Sequence, residues 1–211
     1  LPQDFDVYPR ISAYDLLDHM AVLKGINNGK QRKEAVNALL EQTNLFDVRR
    51  KAVSTFSGGM KQRFGIAQAL LGNPEIIIVD EPTAGLDPEE RNRFHNLLSN
   101  IGENKVVILS THIVDDVEEL CSKLAILVNG RITLAGHPGE LVESLRGKVW
   151  RKDIEKADLP DYRQNHDVIS TRLKAGRTIV HVLSDSQPDE MFEQLPPDLE
   201  DVYFSTLFAN R

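Results

Sequence analysis

Residues 76–87 read IIIVDEPTAGLD, and this stretch decides the fold class. Four branched aliphatic residues, Ile76 to Val79, run without interruption between Asn73-Pro74 and Pro82. A short β-branched run closed off by prolines is the pattern of a strand buried on both faces, as in a parallel sheet. Asp80 and Glu81 then fall at the carboxyl end of that strand, where ligands of open α/β sheets bind. There Asp80 is suited to hold a divalent cation against phosphate oxygens, directly or through water. Glu81 is suited to take a proton from an attacking water. A strand that simply ends in solvated acids has the same local pattern, so the acids acquire meaning only from what surrounds them.

Toward the C-terminus, Asp87-Pro88 followed by Glu89 and Glu90 is a helix-start signal, with a helix expected over 89–101. KVVILSTH (105–112) repeats the buried-strand pattern and ends in Thr111-His112. An imidazole at that position can hydrogen-bond a phosphate, although a lone histidine after a strand is more often structural. His19, His95, His137, His166 and His181 keep the ordinary reading. A short helix is expected over 113–121, and KLAILVNGRITLAG (123–136) reads as two strands joined at Asn129-Gly130. A helix beginning at Pro138 follows, over 138–146.

Toward the N-terminus, FSGGMKQRFGIAQALLG (56–72) places two glycines before a helix. Glycines let a backbone approach a ligand closely, and a helix start presents free N–H groups. With its hydroxyl, Ser57 joins Gly58 and Gly59 in a cradle suited to phosphate. An SGG tripeptide alone reads as a capped turn. Earlier, 12–25 and 31–43 are expected helices. The first is capped by Ser12 and turns Leu16, Met20 and Leu23 inward; the second buries Val36, Leu39 and Leu40. Gly25, Asn27, Asn28 and Gly29 separate them. Strands alternating with helices in this order predict an α/β domain over 1–147.

After Gly147 the texture changes. KVWRKDI, DVISTRLK and RTIVHVLSD look like strands, and 188–195 and 199–209 like helices. Residues 148–211 are expected to form a small α+β appendage without readable chemistry, in which Trp150 packs. The net charge of −7 is spread along the chain, and no basic block suggests a nucleic-acid surface, so no nucleic-acid partner is expected. No apolar run approaches the roughly 18–20 residues needed to span a bilayer. The single cysteine, Cys121, allows no internal disulfide and suits a reducing compartment.

Taken together, the order and spacing of these segments resemble the ABC-type ATPases. FSGGMKQR resembles the family's signature loop, IIIVDEPTAGLDP its Walker B strand with catalytic glutamate and D-loop, and STHIVDDVEELC its switch-histidine loop and following helix. The resemblance covers about residues 1–147, and it places residues 10–56 in the family's helical subdomain. It implies a P-loop NTPase-like α/β fold binding ATP and Mg²⁺. Asp80 would orient the metal, Glu81 would activate water, and His112 would contact the γ-phosphate. Gln3 would be the Q-loop glutamine, sensing metal and γ-phosphate. Ser57, Gly58 and Gly59 would meet the γ-phosphate bound by a second nucleotide-binding domain in a head-to-tail dimer, and Asp87 would communicate across it. The implied setting is the inner face of the cell membrane, on a transmembrane permease subunit.

Two residues depart from the signature: Phe56 stands where the family has Leu, and Met60 where it has Gln. Met60 and LEDVYFSTL (199–207) are similar to exporter subunits. The phosphate-binding pattern Gly-x-x-x-x-Gly-Lys-Ser/Thr is absent from residues 1–211. Gly25…Gly29-Lys30 is one residue short and followed by Gln31, and Gly147-Lys148 has Val142 where Gly is needed. The family places this loop before the Q-loop, so it is expected upstream of Leu1, and this chain alone is expected to be inactive. A non-transport ABC ATPase, ribosome-associated or repair type, and a non-catalytic scaffold remain alternative readings.

Overall fold

The computed structural model describes residues 10–174 and 176–210, so Gln3 lies outside the described residues. The chain divides into two compact units, residues 1–116 and 117–211.

The first unit opens with three helices. Helix α1 (Ala13–Leu23) starts at Ser12, whose hydroxyl accepts the Asp15 N–H at 3.1 Å. Helix α2 (Gly29–Gln42) starts at Asn28, whose side chain accepts from Lys30 and Gln31. Gly25 at φ +87 provides the left-handed turn between them, a conformation glycine adopts at little cost. Arg32 reaches back to Asp18 at 2.7 Å. Helix α3 (Gly58–Leu70) packs on both. Their shared core includes Leu17, Val36, Leu40, Leu45, Val53 and Phe64, all fully buried. Leu23, expected inside, is 78% exposed. The stripe that α1 buries is Ala13, Leu16, Leu17 and Ala21, an i, i+3, i+4, i+8 spacing, and Leu23 falls beyond its edge.

Strands β1 (Ile76–Asp80) and β2 (Val106–Ser110) pair in parallel, with Asp80 level with Ser110. They are joined by helix α4 (Pro88–Gly102), which buries Phe94, Leu97, Leu98 and Ile101. The expectation of burial on both faces is corrected here. Ile77 and Val79 are buried, whereas Ile76, Ile78, Val106 and Ile108 are each about half exposed. The described residues cover one face of this strand pair and leave the other open. Helix α5 (Val114–Leu120) follows β2 and spans the junction of the two units.

The second unit begins with strands β3 (Leu124–Val128) and β4 (Arg131–Gly136), an antiparallel hairpin. Asn129 and Gly130 both have positive φ, as a two-residue hairpin turn requires. After helix α6 (Pro138–Glu143) come strand β5 (Val149–Ile154), helix α7 (Leu159–Asn165), and strands β6 (Val168–Lys174) and β7 (Arg177–Leu183). Strand β8 (Glu193–Gln194) completes an antiparallel sheet of order β6-β7-β5-β8, and helix α8 (Leu199–Ala209) ends the unit. Ile154, Val168, Val180, Val182 and Phe192 form its core, with Trp150 packed against them. The Trp150 indole N–H donates to the Ser184 carbonyl at 3.0 Å, so a packing residue also satisfies its polar end.

Three points in this unit differ from the expectation. Residues 188–195 form no helix: Glu193 and Gln194 pair with Arg151 and Trp150 at the sheet edge. Helix α7 was not anticipated. The hairpin and α6, grouped by sequence with residues 1–147, fall in the second unit, where α6 and β3 pack on α8.

Candidate functional site

The acids at the end of β1 and the histidine after β2 come together because the two strands run parallel in register. Ser110, opposite Asp80, donates its hydroxyl to the Asp80 carboxylate. The next backbone step keeps the pairing, with the Glu81 N–H donating to the Ser110 carbonyl at 2.9 Å. Glu81 then takes a left-handed conformation, φ +45, and the chain leaves the strand through Pro82. That turn brings Glu81 Oε2 to 2.8 Å from His112 Nδ1. The contact has ion-pair distance without the angle of a hydrogen bond, and this buried oxygen accepts none. His112 is 72% exposed at its side chain and Glu81 22%. The pair therefore combines an open imidazole with a half-sheltered carboxylate whose lone pairs are available to a proton donor.

Asp87 and Ser57 occupy helix starts. Asp87 accepts the Glu90 N–H at 2.8 Å and caps α4. Ser57 accepts the Met60 N–H at 3.3 Å and caps α3. The two helix starts are close neighbours, since a Cβ on Gly58 would stand 4.0 Å from Leu86 Cδ2. Ser57 and Gly58 are exposed and Gly59 is buried. A Cβ on Gly59 would overlap the Glu90 side chain, which pairs with the buried guanidinium of Arg63. Close packing within this unit thus accounts for glycine at 59, while Gly58 faces open surface. The structure brings Asp80, Glu81 and His112 to one sheet end and sets Ser57, Gly58 and Asp87 on a neighbouring pair of helix starts.

Behind the site lies a group that sequence reading passed over. Asp116 on α5 is fully buried. One of its oxygens accepts from the Thr83 hydroxyl and from the Thr111 hydroxyl at 3.4 Å. The other lies 2.7 Å from an Arg91 guanidinium nitrogen and 2.9 Å from His95 Nε2. Four acids occur in VDDVEEL, and nothing in the sequence distinguishes the buried one. His95 was read as ordinary, and here it is structural.

Among the described residues, no cluster of three or more His, Cys, Asp or Glu side chains is arranged to hold a metal. A carboxylate alone at a strand end fits a cation whose remaining ligands are phosphate and water, as magnesium takes in nucleotide sites. The donor set therefore fits a magnesium nucleotide and does not fit a metal caged by protein alone.

Acids and a histidine at the carboxyl ends of parallel strands, beside two open helix starts, are the layout of an α/β nucleotide-binding domain. Comparison with known proteins points the same way. A model described as ABC transporter matches residues 1–84. The chain is 28% identical to the uncharacterized ABC transporter ATP-binding protein YxlF of Bacillus subtilis, over 99% of this chain and 75% of that protein. It is 29% identical to the Nod factor export ATP-binding protein I of Rhizobium etli, over 96% of this chain and 67% of that one. Among solved structures it is similar to the dimeric post-hydrolysis state of the ATP-binding cassette MJ0796 bound to ADP and Pi. That match has 26% identity and a TM-score of 0.56, and it covers 64% of this chain and 60% of that one. Against several other curated relatives the chain spans under half of their length. The chain is thus similar to the ATP-binding proteins of ABC transporters.

Proposed function

We propose that this chain is part of a subunit that hydrolyses ATP to drive an ABC transporter of the exporting kind. The observation that carries the reading is the 2.8 Å approach of Glu81 to His112 at the carboxyl end of the β1–β2 pair. Glu81 takes the proton of the attacking water. His112, exposed beside it, holds a γ-phosphate oxygen. Asp80, steadied by Ser110, contributes one oxygen to Mg²⁺, and the bound magnesium nucleotide supplies the phosphoryl group to be transferred. Ser57 and Gly58 present an open helix start to the phosphates held by a second copy, in the head-to-tail sense, with Gly59 packed on Glu90 in the first turn of α3 and Asp87 at the adjoining helix start. Gln3 belongs to the same proposal as a sensor of metal and γ-phosphate.

The export direction is supported by the Nod factor export relative and by Met60 and the α8 sequence. The partner in this reading is a transmembrane permease, in keeping with the ABC transporter relatives; no described helix is long and apolar enough to cross a membrane. The work is then done at the inner face of the membrane. Residues 1–211 contain no P-loop pattern, so this chain by itself binds ATP weakly and does not turn it over.

The test is Glu81→Gln in the whole subunit. ATP turnover falls about 10²- to 10⁴-fold while nucleotide binding persists. Wild-type turnover in that variant would remove the proposed chemistry.

A further inference from the structure

We infer that Asp116 is a positioning residue for the Glu81–His112 pair, acting through the hydroxyls of Thr83 and Thr111. The inference rests on the ATPase reading above and deepens it. Thr83 lies two residues after Glu81, on the turn that leaves β1; Thr111 immediately precedes His112 at the end of β2. Each hydroxyl donates to the same oxygen of Asp116, which is fully buried. One atom thus sets the spacing between the segment that carries the carboxylate and the segment that carries the imidazole.

The second oxygen fixes the first. Arg91 places two guanidinium nitrogens within 2.8 Å of it, and His95 Nε2 lies at 2.9 Å. Both side chains come from α4, the helix that Asp87 caps. Asp115, next along α5, stands 3.9 Å from the same guanidinium at an exposed position and adds little. A carboxylate without water contact is held rigidly only when its lone pairs are filled by donors, and here five polar groups from four side chains surround it. Thr111 is further fixed by the Ile113 N–H, which donates to its hydroxyl at 3.0 Å. The network consequently joins three segments of the proposed site: the turn after Glu81, the loop of His112 and the helix behind Asp87.

Threonine at 83 distinguishes positioning from packing. Thr83→Val keeps the shape and deletes the hydroxyl; Thr83→Ser keeps the hydroxyl and deletes a methyl. We measure steady-state ATP hydrolysis by the whole subunit with its permease, for both variants, for Asp116→Asn and for Glu81→Gln. The expected result is a kcat loss of about 10- to 100-fold in Thr83→Val and Asp116→Asn, the scale of a lost hydrogen bond to a buried charge. KM for ATP stays within about 3-fold, because ground-state binding is left intact. Thr83→Ser stays within about 3-fold of wild type, since the hydroxyl remains. Combining Thr83→Val with Glu81→Gln gives, in single-turnover measurements, no loss beyond that of Glu81→Gln alone.

The reverse order, Val tolerated and Ser impaired, would overturn the inference in favour of packing. Losses that multiply with Glu81→Gln would overturn it equally, because Asp116 would then act independently of Glu81. If Asp116→Asn does not fold, the Val and Ser pair still decides. A failure of the ATPase reading shows separately, as undiminished turnover in Glu81→Gln.

Discussion

That Asp80, Glu81 and His112 meet was legible because each lies at or just past the end of a β-branched run, and parallel pairing in register carries strand ends to one place. Asp116 was not legible: burial singles it out from its acidic neighbours, and burial is a property of the packed unit. Gly59 illustrates the same limit, since its sequence neighbours suggest a phosphate cradle and its spatial neighbour is the Glu90 carboxylate. Gly59→Ala must therefore displace Glu90 from the buried Arg63 guanidinium. The expected cost is about 1–3 kcal/mol of stability, as for overpacking at a tight contact, read as a lower midpoint in denaturant melts of the first unit. Gly58→Ala, with ordinary contact only, should shift that midpoint much less.

Among the elements, helices with side-chain caps were found closest to where they lie, as at Ser12, Asp87 and the tail helix α8. α8 carries a reciprocal cap in which Asp198 accepts the Asp201 N–H and Asp201 accepts the Asp198 N–H. Asp201 also meets buried His181 at 2.8 Å. Asp198→Ala should cost about 1 kcal/mol, detected as earlier melting of the second unit. Residues 188–195 defeated local reading because Pro188 followed by acids imitates a helix start, whereas the edge of β5 captures Glu193 and Gln194. The loop between holds Asp189, whose carboxylate is pulled below its ordinary value of 3.8 by the Lys152 hydrogen bond at 2.8 Å. Lys152 is raised above 10.5: burial opposes the charge, and Asp189 and Tyr162 overcome it. A lowered acid stabilises above its unfolded pKa and loses that contribution as pH falls through the lowered value; a raised lysine stabilises below 10.5 and loses it as pH climbs through the raised value. The melting-temperature advantage of wild type over Asp189→Asn should accordingly be full at neutral pH and close at both extremes.

At the level of the whole molecule, the alternation of strands and helices gave the α/β class, and the sheet face exposed the limit of that reading. IIIV looks suited to burial from either side, yet Ile76, Ile78, Val106 and Ile108 form an open apolar surface on the first unit. Water-exposed β-branched patches of this kind favour association. Residues 1–211 in isolation should self-associate with rising concentration, and Ile78→Lys with Ile108→Lys should abolish this without lowering the melting temperature. Sedimentation at several loadings measures both proteins. The division at Asp116 was also hidden from sequence, because α5 runs through it without a glycine or proline to mark a boundary.

The backbone at Glu81 has a consequence for how this protein ages under selection or engineering. A side chain longer than asparagine at positive φ is held there at a penalty on the order of 1 kcal/mol. Libraries screened only for heat tolerance should thus drift toward Gly or Asn at this position, gaining robustness as they shed the carboxylate proposed to activate water.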